Sequence, residues 1–307
     1  MPAVLVVGAG VIGLTAAIRL REAGVAAAVV TRDPPRATTS AVAAALWYPY
    51  RAFPRERVAG WSARGFEVLG ALAAEPGSGV RMRWGTEQVA AGTPDPWWRD
   101  AVPTFARTSG GWRFAAPVAD MSAHLPWLVA RLRGLGGSVT AGALGSLDEA
   151  LARAPVVVNA AGLGARELAA DSSVLAVRGQ ILRVACPAVD EWLLDQADPD
   201  GLLYVVPRER DVVLGGTAVE GAEGMDSDPA VAAAIRARCE AAVPALRGAP
   251  VVAEAVGLRP ARPAVRLEAE ARDGGTVVHC YGHGGAGVTL AWGCADEVVE
   301  LVRSALG

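Results

Sequence analysis

The feature that most constrains this 307-residue chain is a glycine-rich turn between a strand and a helix near its start. An apolar run, Val4 to Val7, is followed at once by Gly8-Ala9-Gly10-Val11-Ile12-Gly13, then by a helical stretch, Leu14 to Ala23, and a second apolar run, Val25 to Val30. This order and the GxGxxG spacing are typical of the βαβ unit of dinucleotide-binding folds. The first glycine permits a tight turn, the second lets the backbone approach a pyrophosphate, and the third lets helix and strand pack closely. Because the helix N-terminus also offers unpaired N–H groups to phosphate, we predict a dinucleotide site here.

The composition excludes several classes of protein. Hydrophobic residues make up 52% and charged residues 20% of the chain, which excludes general disorder. A formal net charge of -3 gives no broad attraction to phosphate backbones, so we expect a small-molecule partner and no nucleic acid. All 29 residues counted as lysine or arginine are arginine, which excludes a lysine Schiff base and a Walker A lysine. Any fixed cation in a site is therefore a guanidinium, which pairs with carboxylates in a planar fork.

The cysteines and the apolar N-terminus indicate neither a metal site nor a membrane anchor. Cys186, Cys239, Cys280 and Cys294 form no CxxC pair and lack zinc-ligand spacing, so we predict no metal. We expect four buried thiols, with a disulfide between Cys239 and Cys294, both in predicted helices, as the alternative. The apolar stretch from Met1 to Ile18 is interrupted by glycines and has no basic residue before it, unlike a signal peptide or a membrane span. We therefore expect a cytoplasmic protein without a membrane partner.

A second glycine cluster, Tyr281 to Gly293, follows a predicted strand at Val277 to His279 and opens the last helix. A chain that returns to its N-terminal sheet with a second such turn can hold the far end of an extended cofactor, and FAD is long enough. The buried strand pattern of Pro155 to Gly162 belongs to the same parallel sheet. The intervening chain is rich in proline and tryptophan and is typical of short strands and turns of another lobe.

We therefore predict an α/β fold in which a Rossmann-type FAD-binding domain carries an inserted α+β substrate-binding domain. The FAD-binding domain is discontinuous and comprises residues 1–72, 128–175 and 255–307. The substrate-binding domain comprises residues 73–127 and 176–254.

From the residues alone, further candidate site residues have more than one interpretation. Asp33, after the second apolar run, is placed to bind a ribose, and Arg32 faces either a ribose phosphate or solvent. The hydroxyls of Thr38-Thr39-Ser40 either bind phosphate or cap a helix. Arg259, between Leu258 and Pro260, is either a carboxylate fork or part of a structural ion pair, with Arg262 and Arg266 nearby as structural alternatives. Tyr204 is either a site residue or a core aromatic of a strand.

Five segments carry a resemblance to a known family. They are Val277 to Gly287 with its continuation through Gly293 and Ala295, Ala43 to Tyr50, Arg178-Gly179-Gln180, Tyr204-Val205-Val206-Pro207, and Gly257-Leu258-Arg259-Pro260. In composition and order they resemble the D-amino-acid oxidases, FAD enzymes that include D-aspartate oxidase. Glycine oxidases share the first glycine motif but match the C-terminal segment less well.

The resemblance implies roles for the matching residues. Arg259 would pair with the substrate carboxylate, Tyr204 would help to hold it, and the backbone carbonyl of Gly285 would receive the substrate amine. The implied contacts to a non-covalent FAD, including the two glycine turns, are Gly8, Gly10, Val11, Ile12, Gly13, Arg32, Asp33, Thr39, Ser40, Ala44, Ala45, Leu46, Leu163, Gly284, Gly285, Ala286, Gly287, Val288 and Thr289.

Two positions depart from the family pattern. Asp200 stands where vertebrate members have a lid tyrosine, so we expect a different or short lid. Cys280 replaces a residue that is usually Asn, His or Ala, which we expect to be harmless.

The implied activity is oxidative deamination of D-amino acids to 2-oxo acids with release of ammonia and hydrogen peroxide. Hydride would pass from the substrate α-carbon to flavin N5, and oxygen would reoxidise the flavin. The alternative enzyme is a glycine or secondary-amine oxidase on the same fold, whereas the second glycine cluster disfavours an NAD-dependent dehydrogenase. Among proteins that are not enzymes, the alternative is a non-catalytic flavin sensor. The sequence does not show which substrate side chain is preferred; an acidic substrate would need an additional Arg or His in the pocket wall. It also leaves the oligomeric state open, and a homodimer is one option.

Overall fold

The computed structural model describes residues 2–197 and 201–307. Seven α-helices lie within these residues: α1 (Val11–Glu22), α2 (Arg55–Leu72), α3 (Met121–Gly134), α4 (Leu147–Leu151), α5 (Ala165–Leu168), α6 (Pro229–Ala242) and α7 (Gly287–Leu306). The strands are β1 (Val4–Val7), β2 (Ala27–Thr31), β3 (Val80–Gln88), β4 (Ala106–Thr108), β5 (Gly111–Ala119), β6 (Val139–Ala141), β7 (Val156–Asn159), β8 (Leu175–Val184), β9 (Trp192–Asp195), β10 (Leu203–Pro207), β11 (Val212–Gly215), β12 (Val219–Glu220), β13 (Val251–Arg272) and β14 (Gly275–His283).

The strands form one sheet in the order β4-β5-β3-β9-β10-β11-β8-β13-β14-β7-β1-β2-β6, with β12 paired to β8. From β14 to β6 all neighbours are parallel. In this part β1, β7 and β14 are almost wholly buried, as strands covered on both faces must be. The largest hydrophobic cluster, which includes α1 and α7, lies on one face, and a cluster that includes α4 lies on the other. The predicted α/β fold with a Rossmann-type parallel half is confirmed.

The other half of the sheet is mostly antiparallel and carries the proline- and tryptophan-rich segment. Here β3 and β5 pair antiparallel, and the rings of Trp98, Trp112, Phe114 and Trp192 pack against one another. The sequence patterns at Gln180–Val184, Leu202–Val206 and Val212–Leu214 predict strands, which correspond to β8, β10 and β11. The helical pattern from Pro229 to Ala242, with Asp226, Ser227 and Asp228 before it as candidate caps, predicts a helix, and α6 has these bounds. The division into two domains stays a prediction.

The long strand β13 joins the two halves and was not predicted as a strand. Its prolines, Pro260 and Pro263, argue against a central strand in sequence reasoning. In the structure they lie near the transition where β13 stops pairing with β8, at Ala261, and continues its pairing with β14, from Arg266, across a register shift. The ladder has an irregularity there that accommodates residues without an N–H.

The alternative of a Cys239–Cys294 disulfide is wrong. The thiol of Cys239 donates to the carbonyls of Tyr204 and Gly215 at 3.8 Å each, in the cluster under α6. Cys294 is buried in the other cluster, where it contacts Cys280. All four cysteine side chains are buried thiols, as expected.

Membrane-spanning helices and clusters of metal-ligating side chains are both absent from residues 2–197 and 201–307. None of the helices there combines the length and the apolar composition needed to cross a membrane. In the same residues, no group of three His, Cys, Asp or Glu side chains is arranged to hold a metal ion.

Candidate active site

The two glycine turns, 270 residues apart in the chain, line one cavity of about 740 Å³. The N-termini of α1 and α7 both open onto it, and neither helix carries an acidic residue in its first turn. Two helix N-termini with unpaired N–H groups and no local anion favour a negatively charged ligand. The sequence predicted this meeting, and the parallel pairing of β1 with β7 and of β7 with β14 produces it.

The first turn has the backbone that its glycines were predicted to allow. Gly8 has a φ of +109°, and a Cβ at that position would lie 2.5 Å from the carbonyl oxygen of Ala160 on the neighbouring chain segment. At Gly10 a Cβ would reach 3.2 Å from the Ser40 hydroxyl, which accepts a 3.0 Å hydrogen bond from the Val11 N–H. Ser40 therefore lies at the N-terminus of α1, beside a glycine that keeps the backbone open.

The predicted adenosine side of the cavity lies at the end of β2. Arg32 and Asp33 line the cavity there and form an ion pair of 2.9 Å with each other. Both side chains are largely exposed, at 75% and 47%. Thr39, also in the lining, donates its hydroxyl to the Leu258 carbonyl at 2.9 Å and so ties this side to the segment that carries Arg259.

The second glycine turn is held in place by Tyr48, in the segment that follows the lining residues Ala43 to Leu46. The Thr289 hydroxyl donates to the carbonyl of Tyr48 at 3.0 Å and accepts from the Tyr48 N–H at 2.9 Å. Gly284 has a φ of +55°. A Cβ on Gly285 would lie 2.6 Å from the ring of Tyr50, so a glycine here leaves room for that ring, while Cδ of Arg259 would be at an ordinary contact distance of 3.6 Å.

The guanidinium of Arg259 lies inside the cavity. Its Nη1 donates to the Thr217 carbonyl at 2.9 Å, which fixes one edge of the fork. A Cβ on Gly179 would lie 2.4 Å from the same Nη1 atom, so the guanidinium rests directly over this glycine. Neither Arg262 nor Arg266 lines the described cavity: Arg262 pairs with Asp171 at 2.9 Å and Arg266 with Glu268 at 2.7 Å. The structural interpretation therefore applies to these two arginines.

Tyr204 on β10 stands beside Arg259. Burial raises the pKa of the Tyr204 phenol, and the neighbouring Arg259 guanidinium acts in the opposite direction without reversing the shift. The phenol therefore keeps its proton at neutral pH and can donate a hydrogen bond. A Cβ on Gly215 would lie 1.9 Å from this ring, so the glycine on β11 makes the space for it.

The structure places most of the predicted site residues in the cavity lining. The exceptions among the predicted FAD contacts are Gly13, whose missing Cβ would collide with the Gly8 carbonyl at 1.9 Å, and Ala286, which is wholly buried at the start of α7. Gly13 and Ala286 therefore support the backbone of the two turns without lining the cavity. Asp200, at the predicted lid position, lies outside the described residues.

Sequence reasoning assigned no role to several lining residues: Tyr48, Tyr50, Gly179, Leu194, Gln196 and Met225. Tyr48, Tyr50 and Gly179 belong to the motifs that carry the family resemblance, which was the available signal. Gln196 and Met225 lie in loops without a motif, so their position follows only from the tertiary structure.

The predicted cofactor FAD fits this cavity. Gly8 and Gly10 at one turn and Gly284 and Gly285 at the other leave backbone cradles that a Cβ would fill or strain. Both turns present a helix N-terminus, one suited to a pyrophosphate and one to the negative charge of a reduced flavin. The chain thus provides contacts for both ends of an extended dinucleotide.

Comparisons with known proteins agree with these observations. A family model described as FAD dependent oxidoreductase (DAO) matches residues 3–301. A D-amino-acid oxidase from Rubrobacter xylanophilus is 55% identical over 98% of this chain and 96% of its own length, and one from Streptomyces coelicolor is 47% identical over 97% and 96%. The crystal structure of glycine oxidase from Geobacillus kaustophilus, 18% identical, shares the fold with a TM-score of 0.76 over 99% of this chain and 95% of that one. The chain therefore belongs to the D-amino-acid oxidase family of FAD-dependent oxidoreductases, and its cofactor is FAD.

Proposed function

We propose that this protein is a D-amino-acid oxidase. In the overall reaction a D-amino acid, oxygen and water give a 2-oxo acid, ammonia and hydrogen peroxide. The curated relatives of that name, 55% and 47% identical over almost their whole lengths, support the assignment. The single observation that carries it is the position of the Arg259 guanidinium, held beside the Tyr204 phenol in the cavity that the two glycine turns line.

Arg259 and Tyr204 bind the substrate carboxylate. The carbonyl of Thr217 fixes one edge of the guanidinium, which leaves the rest of the planar fork for a carboxylate. The protonated Tyr204 phenol adds a neutral donor to the same group. Both donors are held in place before the substrate arrives, so little freedom is lost on binding.

The substrate amine binds at the carbonyl of Gly285, on the α7 side of the cavity. With the carboxylate and the amine fixed, the two remaining substituents of the α-carbon have set directions, which selects one enantiomer. Apolar side chains of Ile181, Leu202, Val206 and Met225 line the same cavity and exclude water from it. When bound, FAD supplies the oxidising chemistry: it accepts a hydride from the α-carbon and is reoxidised by oxygen.

A glycine or secondary-amine oxidase is the alternative on the same fold. The structures of that kind which resemble this chain are under 20% identical to it and support the fold alone. Peroxide release from D-alanine, glycine and sarcosine, measured side by side, separates the two functions. Oxygen as the electron acceptor, a cytoplasmic location and a homodimer are part of the proposal.

The assignment of Arg259 is tested by Arg259→Leu. Because the variant loses charge-assisted bonds to the carboxylate, we expect kcat/KM for D-alanine to fall by about 10²-fold or more. The flavin absorbance at about 450 nm should persist, since the turns that hold FAD are unchanged. Arg153→Leu, at an exposed arginine that pairs with Glu149 and does not line the cavity, is the matched control and should keep normal activity. Near-normal activity of Arg259→Leu contradicts the proposal.

A further inference from the structure

A buried carboxylate lies in line with the proposed substrate site. Across the sheet, Tyr204 on β10 is paired with Leu194 on β9, and Leu194 is paired with Glu87 on β3. Directly paired residues project from the same face of a sheet, so Glu87 faces the side on which Tyr204 and Leu194 line the cavity. With strands spaced by about 4.8 Å, Glu87 stands about 10 Å from the strand of Tyr204. A substrate side chain that extends from Tyr204 over Leu194 would therefore approach Glu87.

Glu87 does not itself line the cavity but binds two residues that do, Tyr48 and Gln196. Its Oε1 accepts hydrogen bonds from the Tyr48 hydroxyl at 2.8 Å and from Nε2 of Gln196 at 2.7 Å. Nε2 of Gln196 also donates to the Tyr48 oxygen at 2.8 Å. Glu87 is only 3% exposed, and its other oxygen, Oε2, is buried without a hydrogen-bond partner among residues 2–197 and 201–307.

The cluster presents more acceptors than donors to the cavity. The single O–H of Tyr48 goes to Glu87. Tyr48 and Glu87 lie too close together in direction for Gln196 to reach each with a separate N–H, so one N–H of the amide serves both and the other stays available. The arginines that line the described part of the cavity are Arg32, at the predicted adenosine side, and Arg259, which the proposed function assigns to the α-carboxylate, and the histidine in that lining is His283, at the second glycine turn.

The charge of Glu87 is not compensated by a cation. No arginine or histidine within residues 2–197 and 201–307 forms an ion pair with it. Burial raises the pKa of this carboxyl, Asp195 acts in the same direction, and the hydrogen bonds from Tyr48 and Gln196 oppose the shift. Burial and Glu87 together raise the pKa of Tyr48, so that phenol remains a donor to the carboxylate.

We propose that Glu87 is a specificity-determining residue: its buried carboxylate, held behind Tyr48 and Gln196, makes the side-chain end of the substrate site disfavour acidic D-amino acids relative to neutral side chains of the same shape. This inference rests on the proposed function and deepens it. A side-chain carboxylate placed against Tyr48 and Gln196 is repelled by Glu87, whereas a neutral amide of the same shape is not repelled and can donate to the oxygens of these two residues.

D-asparagine and D-aspartate form a matched pair for the test, since they differ only in an amide against a carboxylate. At about pH 8.5, where the ionised form of Glu87 is favoured, we expect kcat/KM of the wild-type holoenzyme for D-asparagine to exceed that for D-aspartate by about tenfold or more. In Glu87→Gln the ratio should fall about tenfold, because the charge is lost and a donor is gained. Glu191→Gln, an exposed glutamate paired with Arg113 beside β9, removes the same charge away from the cavity and should keep the wild-type ratio.

A second readout separates binding from turnover. Succinamate and succinate have the lengths of the two substrates but lack the amine and are not oxidised. Calorimetric titration of the holoenzyme should show tighter binding of succinamate to the wild-type protein, with the preference reduced in Glu87→Gln. A substitution that only loosened the fold would weaken both ligands alike.

The outcomes are distinguishable. If the wild-type protein oxidises neither amino acid nor D-alanine, the proposed function fails. If D-alanine is oxidised but D-aspartate is preferred to D-asparagine, or the ratio is unchanged in Glu87→Gln, the role of Glu87 is overturned. Should Glu87→Gln lose its flavin, the variant Gln196→Arg is measured instead. Position 196 is exposed, and an arginine there would neutralise Glu87. We expect the same fall in the D-asparagine to D-aspartate ratio, and an unchanged ratio overturns the inference.

Discussion

At the scale of residues, glycines decide where the two proposed substrate-binding side chains can lie. Gly179 leaves the space that the Arg259 guanidinium fills, and Gly215 and Gly216 leave the space for the Tyr204 ring. A side chain at any of these positions would overlap atoms of the site by far more than ordinary packing allows. Residues without a side chain thus determine the geometry of those that bind.

Gly179→Ala tests this dependence. A Cβ there would lie 2.4 Å from Nη1 of Arg259, so the guanidinium must move while the strand stays paired. We expect KM for D-alanine to rise by about tenfold or more with FAD retained, because a misplaced fork loses part of its charge-assisted contact. Steady-state kinetics and the flavin spectrum measure this. Gly224→Ala, at a glycine with no atom within 4 Å of the added Cβ, is the control, and equal kinetics of the two variants would refute the dependence.

At the scale of elements, close contact between α2 and α7 holds the second helix N-terminus in place. A Cβ on Gly65 of α2 would lie 1.9 Å from the Thr289 carbonyl oxygen, and one on Gly293 of α7 would lie 2.4 Å from the Trp61 backbone. Trp61 and Arg57 of α2 also bind the carboxylate of Glu297 on α7. The first turn of α7 is therefore positioned by α2, which itself lies outside the cavity.

Gly65→Ala should separate the two helices. The steric cost of overpacking is about 1–3 kcal/mol and exceeds the gain of up to about 1 kcal/mol in helix propensity, since the colliding atom belongs to backbone. We expect a lower free energy of unfolding and weaker FAD binding, measured by thermal unfolding and by flavin fluorescence titration. Gly70→Ala in the same helix meets no atom within 4 Å and should be neutral or stabilising. Identical FAD affinities in both variants would count against the role of this contact.

At the scale of the whole molecule, one cavity runs between the parallel and the antiparallel halves of the sheet. Its lining includes Val7 and Val30 from the parallel strands and Ile181, Leu194 and Val206 from the antiparallel ones. A ligand that fills it contacts both halves at once. FAD should therefore act as a structural element of the entire fold as well as a cofactor.

Removing FAD should destabilise the protein as a unit. At a concentration of about 100 times Kd, a ligand of the native state adds about 2.7 kcal/mol, which corresponds to a Tm higher by about 4 °C for a chain of this size. Thermal unfolding of the apoprotein at increasing FAD concentrations measures the effect. FMN, which lacks the adenosine half, should stabilise less at equal concentration. A Tm that does not depend on FAD would contradict a cavity that joins the two halves.

The sequence by itself determined the parallel core and the identity of the cofactor. A GxGxxG turn between an apolar strand and a helix is a local pattern, because the tight turn, the close backbone approach and the helix N-terminus all depend on residues within one βαβ unit. For the same reason the bounds of α6, between a capping Asp228 and its C-terminal end, could be predicted to the residue. Arg259 and Tyr204 were identified because their local motifs resemble those of a family.

The contacts between side chains on different strands followed only from the tertiary structure. The row from Tyr204 through Leu194 to Glu87 depends on the register of three strands, and the contact of Gly179 with Arg259 depends on the pairing of β8 with β13. Strand register is set by how all the strands and their covering helices pack together, so no local pattern encodes it. The acidic end of the substrate site, and the specificity proposed for it, could therefore be recognised only once the sheet was assembled.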